Sequence, residues 1–180
     1  MPLLEADACA PYQDHRILTE ARHGPAWHDR QHPLGPRGRG TGVELLLRAS
    51  DLVAQGFHYA AIDYPLAPGA NISEMIDCCC QAVVWLQQQA DCLGFDPQRI
   101  LLAGSSAGAH LCSSVLLAAC REQLGLTPDT IAGALLLSGI YDLQPLTHTY
   151  INDALQLDEA SAALLSPALQ ELQGFPPCLL

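Results

Sequence analysis

From about residue 51 onward, short unbroken apolar runs alternate with stretches whose apolar positions recur at helical period. Phe57 to Tyr64 is an aromatic and apolar run stopped by Pro65 and Pro68, the pattern of a strand covered on both faces. Ile100–Ala103 and Ile131–Leu137 are further runs of this kind, the second closed by Ser138-Gly139. Between the runs, Met75, Ile76, Cys79, Val83, Val84 and Leu86 fall at 3.6-residue spacing and predict a helix near 72–90, capped by Asn71 or Ser73. Leu111, Val115, Leu116 and Ala119 predict a second helix near 107–121. Asp51 to Gln55 reads as a helix end closed by Gly56, and Asp96-Pro97 breaks the chain before the second run. Residues 150–170 read as helical pieces outside the sheet, and Pro176–Leu180 opens one more strand. Strands alternating with helices predict an α/β fold, with a mostly parallel sheet and helices on both of its faces.

Residues 1–50 show neither period. His15, His23, His28, His32 and the run Gly35–Gly42 read as a loosely ordered segment, so the expected division is 1–50 and 51–180. His28 and His32 have the i, i+4 spacing of metal ligands on a helix, but Pro25 and Pro33 bracket them and favour a loop; no metal site is expected. Trp85 and the aromatic positions Phe57–Tyr59 are read as core.

Charge sharpens the division. The first fifty residues balance six Arg against six carboxylates, whereas the remainder holds only Arg99 and Arg121 and carries the whole net charge of −11. An acidic body excludes a nucleic-acid-binding surface. No apolar run approaches the ~18 residues of a membrane span, and the acidic start Met1–Asp7 lacks the features of a signal peptide, so cytoplasm is the default location. Cys78, Cys79 and Cys80 are consecutive on a helical segment and cannot pair with one another; the eight cysteines are expected to be buried, reduced thiols.

The chemistry concentrates at Gly104-Ser105-Ser106-Ala107-Gly108, set between the Ile100–Ala103 run and a helical pattern. Strand, sharp turn and helix are the context of a nucleophile elbow. Ser106 would sit at the tip, with Gly104 and Gly108 keeping side chains out of the strand–helix crossing. The backbone N–H of Ala107, at the helix start, would donate to a developing oxyanion.

Asp63-Tyr-Pro-Leu-Ala-Pro68, the elbow through His110, Ser138-Gly-Ile-Tyr-Asp-Leu143, and Tyr150-Ile-Asn-Asp-Ala-Leu-Gln-Leu157 with Ser166-Pro167 stand in the order of the kynurenine formamidase (arylformamidase) branch of the α/β-hydrolases, which residues 51–180 resemble. The resemblance implies an α/β-hydrolase fold, a Ser-Asp-His triad with Ser106 as nucleophile, and hydrolysis of N-formyl-L-kynurenine to kynurenine and formate in tryptophan breakdown. It implies a small formamide or ester substrate, no cofactor and no metal; a homodimer is compatible with it. Hormone-sensitive-lipase-like esterases share the elbow and the Asp63–Pro68 block, which makes a carboxylesterase the alternative.

Two departures bear on activity. The family's His-Gly-Gly-Tyr-Trp motif, which supplies oxyanion donors, is only distantly echoed by His23-Gly24-Pro25-Ala26-Trp27, and Pro25 has no N–H to donate. The family's triad Asp and His follow the strand that Cys178–Leu180 begins, so a partial domain with its C-terminal part missing, impaired activity and an aggregation-prone edge are expected. His110 is one candidate base, read instead as a packing or polar contact. His148 is a candidate substrate contact, and Asp142 a turn-capping residue rather than the triad acid. A non-catalytic fragment and a small-molecule binding module remain alternatives to an enzyme.

Overall fold

In a computed structural model, which describes residues 16–21, 49–62, 64–123, 125–127 and 129–180, the longest crossover helix begins and ends where its capping residues dictate. The short α1 (Ala49–Ala54) is followed by Gly56 at φ 83°. Asn71 starts the long helix α2 (Ile72–Leu93): its side chain accepts from the Glu74 N–H at 3.0 Å, and Glu74 Oε2 accepts from the Asn71 N–H at 2.8 Å. Two of the helix's orphan donors are thereby satisfied reciprocally. Gly94, left-handed at φ 75°, ends α2 by donating to Ala90 O. Met75, Cys79, Val83, Leu86 and Ala90 form its buried stripe. Trp85, expected in the core, is 54% exposed: it lies two residues past Val83, about 200° around the helix and so off that stripe.

Among the described residues five parallel strands, β1 (Arg16–Ala21), β2 (Phe57–Ile62), β3 (Ile100–Ser105), β4 (Ile131–Leu137) and β5 (Cys178–Leu179), form one sheet in the order β2-β1-β3-β4-β5. The three strands anticipated from apolar runs are present and mutually parallel in direction. The reading of residues 1–50 needs correcting, because the sheet takes one of its inner strands from them. Arg16–Ala21 pairs along its whole length with β2 and from Ile17 onward with β3. His28, His32 and the His23–Trp27 echo lie outside the described residues, as does Asp63.

Winding reverses between β1 and β3. The chain steps from β1 outward to β2, then crosses back over β1 to β3 and on to β4 and β5. The crossovers from β2 to β3 and from β3 to β4 step the same way across the sheet, and right-handed connections put α2 and α3 (Ala107–Leu116) on the same face. The contacts of α3 with β3, β4 and α2 agree with this. The anticipated single helix near 107–121 is divided at Leu117, beyond which α4 (Ala118–Gln123) continues.

Val83, Phe95, Ile100, Ala103, Ala109 and Leu116 are fully inaccessible and centre the core between α2, α3 and the sheet. A second, smaller cluster of Ile72, Leu143, Leu157 and Ala162 seats the pieces after β4: a 3₁₀ turn (Gln144–His148), α5 (Asn152–Leu155) and α6 (Glu159–Leu164). Ser166 ties them together from a fully buried position, accepting from Leu143 N at 2.7 Å and donating to Ala162 O at 2.6 Å.

The reading of the cysteines also changes in part. Cys79 and Cys112 are buried free thiols as read, and burial, with a smaller contribution from Cys78, pushes the Cys79 thiol up to about 12. Cys80 of α2 and Cys120 of α4, however, form a disulfide, and Cys92 and Cys178 are exposed, so the cysteines are neither all reduced nor all buried. Arg121, one of only two cations after residue 50, is 7% exposed and donates from Nη2 to Gln173 O at 3.2 Å, tethering the turn that leads into β5. Among the described residues no helix is long and apolar enough to cross a membrane.

Candidate active site

The carboxyl ends of β1 and β3 meet at the point where winding reverses, the place in an open α/β sheet where a crevice forms and ligands bind. Ser106 stands there, one residue beyond β3, exposed, with φ 53° and ψ −116°. This is a backbone conformation that non-glycine residues rarely occupy, at a cost of about 1–3 kcal/mol. Its neighbours hold it in place: the Ser106 N–H donates to Leu137 O at 2.9 Å, and Ser106 O accepts from His110 N at 3.1 Å. As N-cap of α3 it makes no side-chain capping bond, so the hydroxyl is left for other work.

Gly104 is what permits the turn. A Cβ at Gly104 would lie 2.6 Å from Ala109 N and closer still to the carbonyl group of Gly108, all of it backbone. Gly108 is buried at this crossing. Ala107 opens α3, and its N–H is among the orphan donors of the first turn, on the side where the helix dipole favours negative charge.

His110 is on the first turn of α3 and 4% exposed. Its Nδ1 lies 2.9 Å from Ile140 O; a carbonyl only accepts, so Nδ1 carries the proton and is committed to that bond. Nε2 is buried with no partner among the described residues. The polar-contact reading of His110 therefore describes its geometry better than a base on Ser106 does. Burial holds the imidazole below its ordinary range, against a smaller opposing effect of the Ile140 bond. As pH falls below about 6.5 the unfolded chain takes up this proton first, so stability is kept above that pH and lost from there down to the lowered folded-state value. His110→Asn retains a donor for Ile140 without a titrating group. It is expected to flatten the fall in melting temperature between about pH 7 and 5; an unchanged slope would refute this account.

His148 ends the 3₁₀ turn after β4 and is exposed. Asp142 Oδ1 accepts from Gln144 N at 2.9 Å, capping that turn. No described side chain hydrogen-bonds Ser106 Oγ, and among the described residues no three His, Cys, Asp or Glu side chains gather as metal ligands. One feature at this edge had only a weak signal in the sequence: Ser138, the residue after β4, is exposed and also at positive φ, 49°. The Ser-Gly that closes the β4 run marks the turn but not that conformation.

Comparison with known proteins places these features in context. A family model for the alpha/beta hydrolase fold matches residues 52–180. Kynurenine formamidase of Salmo salar is 38% identical over 120 residues, which are 67% of this chain and 39% of that protein. Hormone-sensitive lipase of Mus musculus is 40% identical over 141 residues, covering 68% of this chain and 18% of the lipase. Among solved structures, an arylesterase superposes with a TM-score of 0.68 at 20% identity, over 93% of this chain and 57% of its own. The chain thus spans well under half the length of the curated relatives it matches.

Proposed function

The chain belongs to the α/β-hydrolase family, and from that premise we propose that Ser106 is the nucleophile of a serine hydrolase for a small aryl formamide of the N-formylkynurenine type. One observation carries the assignment: an exposed serine held at φ 53° and ψ −116° at the carboxyl end of β3, beside the reversal of winding. In the reaction Ser106 Oγ bonds to the formyl carbon and yields its proton to a base. Negative charge on the formyl oxygen is met by the Ala107 N–H, the C–N bond breaks with the proton passing to the leaving nitrogen, and water releases formate. Likeness to kynurenine formamidase supports the formamide; likeness to hormone-sensitive lipase and to an arylesterase supports an ester as second reading.

The described residues supply the nucleophile and one oxyanion donor, and no histidine bonded to Ser106. Without an engaged base a serine hydrolase loses on the order of 10⁴–10⁶ in rate. Exogenous imidazole, standing in as general base, is expected to raise hydrolysis by about tenfold or more. The test is hydrolysis of N-formylkynurenine and of p-nitrophenyl acetate with and without imidazole, in the native chain and in Ser106→Ala. Ser106-dependent, imidazole-stimulated formamide hydrolysis is the expected result. Ester turnover with the formamide untouched would establish the second reading, and identical rates in Ser106→Ala would overturn both. Turnover on the order of 1–10³ per second without imidazole would mean that a base already engages Ser106, and would make His148, so far read as a substrate contact, the first candidate for it.

A further inference from the structure

We propose that Ser138 is a substrate-contacting residue that makes this site prefer an amide over an ester, by accepting a hydrogen bond from the N–H of the leaving group. The proposal rests on the reading of Ser106 as nucleophile.

Its basis is an arch in the chain just after β4. In the β3–β4 ladder Ser105 pairs with Leu137, and the Ser106 N–H extends it one step by donating to Leu137 O at 2.9 Å. Ser138 is therefore the residue following the carbonyl that holds the nucleophile's backbone. Two residues further on, Ile140 O accepts from His110 Nδ1 at 2.9 Å. The elbow thus clamps Leu137 and Ile140, one at each end of the two-residue arch Ser138-Gly139. Tyr141 stiffens the arch. Its ring lies against Gly139 so closely that a Cβ there would overlap it, its hydroxyl donates to Leu136 O at 3.4 Å, and its carbonyl accepts from Ala168 N at 2.9 Å.

Within this clamp Ser138 adopts φ 49°, where glycine or asparagine would be less strained. Its side chain is exposed, and no hydrogen bond to it is found among the described residues. The clamp holds the strained backbone without using the hydroxyl. Strain kept one residue past the carbonyl that bonds the nucleophile's N–H, on a hydroxyl that no described residue uses, points to a ligand.

Substrate chemistry supplies the partner. A formyl carbon attacked by Ser106 carries an oxygen, which faces the Ala107 N–H, a hydrogen and the leaving atom. The leaving atom is the only polar group left for a neighbouring hydroxyl. In an anilide it is an N–H, which donates to Ser138 Oγ; in an ester it is an oxygen with no hydrogen to give. A site that hydrogen-bonds the N–H discriminates against the analogue lacking it.

The experiment measures the ratio of Ser106-dependent rates for formanilide and phenyl formate, with imidazole present, in the native chain, Ser138→Ala and Ser138→Gly. Melting temperature is recorded for each. Ser138→Ala keeps the strain and removes the hydroxyl, whereas Ser138→Gly removes both and is expected to melt higher than the native chain. Both variants are expected to lower the amide-to-ester ratio at least tenfold, Ser138→Gly in spite of its added stability. Ratios unchanged in either folded variant, or falling only in step with melting temperature, would overturn the role of Ser138 alone. Rates unaffected by Ser106→Ala would overturn the nucleophile reading and this proposal with it.

Discussion

Ser106→Ala is expected to abolish covalent capture by a fluorophosphonate and to bring imidazole-assisted hydrolysis down to that of imidazole in buffer, while Ser105→Ala retains both. The two serines are adjacent in sequence but not equivalent. Ser105 is the last residue of β3, half-buried and paired with Leu137, whereas Ser106 is exposed at the tip of the turn. Alanine at 106 keeps the same backbone strain and breaks no side-chain hydrogen bond found among the described residues, so the protein should stay folded and the loss should be purely chemical. With a complete triad the loss of the nucleophile costs on the order of 10⁴–10⁶. Intact-mass measurement reads the adduct directly. An adduct retained in Ser106→Ala would place the nucleophile elsewhere.

Gly104→Ala should cost the fold about 4 kcal/mol or more, lowering the melting temperature by roughly 10 °C. The added methyl would meet Ala109 N at 2.6 Å and the Gly108 carbonyl group closer still. These atoms belong to the backbone of the first turn of α3, with no flexible side chain to swing aside, so relief requires moving α3 off β3. Folded domains hold a margin of only ~5–15 kcal/mol, which leaves such a variant near or past its limit. Gly133→Ala is the informative contrast. Its Cβ would meet Pro177 O at 3.1 Å and Leu101 Cδ2 at 3.3 Å, contacts that small shifts of a side chain and of the edge segment can relieve. Thermal melts of both variants that agree within about 2 °C would show that the elbow crossing is not the constraint described.

The elbow and α2 were legible in the sequence because local rules decide them. Asn71 and Gly94 are the residues that cap and stop a helix, and the glycines at 104 and 108 admit a crossing that other residues would block. β1 was not legible, for a physical reason. A strand inside a parallel sheet is expected to be an unbroken apolar run, and Arg16-Ile-Leu-Thr-Glu-Ala21 interrupts its apolar residues with charged and polar ones. Its place comes from backbone ladders to segments far along the chain. Tertiary packing likewise decides the burial of Arg121 and the Cys80–Cys120 pairing, which spans 40 residues. Trp85 shows the opposite failure. Residue type suggested the interior, but its angle around α2 put it outside.

The position of β1 also governs when this protein can fold. Arg16 must find Phe57, and Ile17 must find Ile100, before both long edges of β1 are satisfied. β1 precedes both of its partners in the chain and can take up β2 first, but its other edge has to wait until β3 has been made. Such distant pairings slow folding, because the entropy of closing a long loop must be overcome before the contacts repay it. The nucleophile is made immediately after β3, so the turn that bears Ser106 emerges as the sheet's centre first becomes able to close.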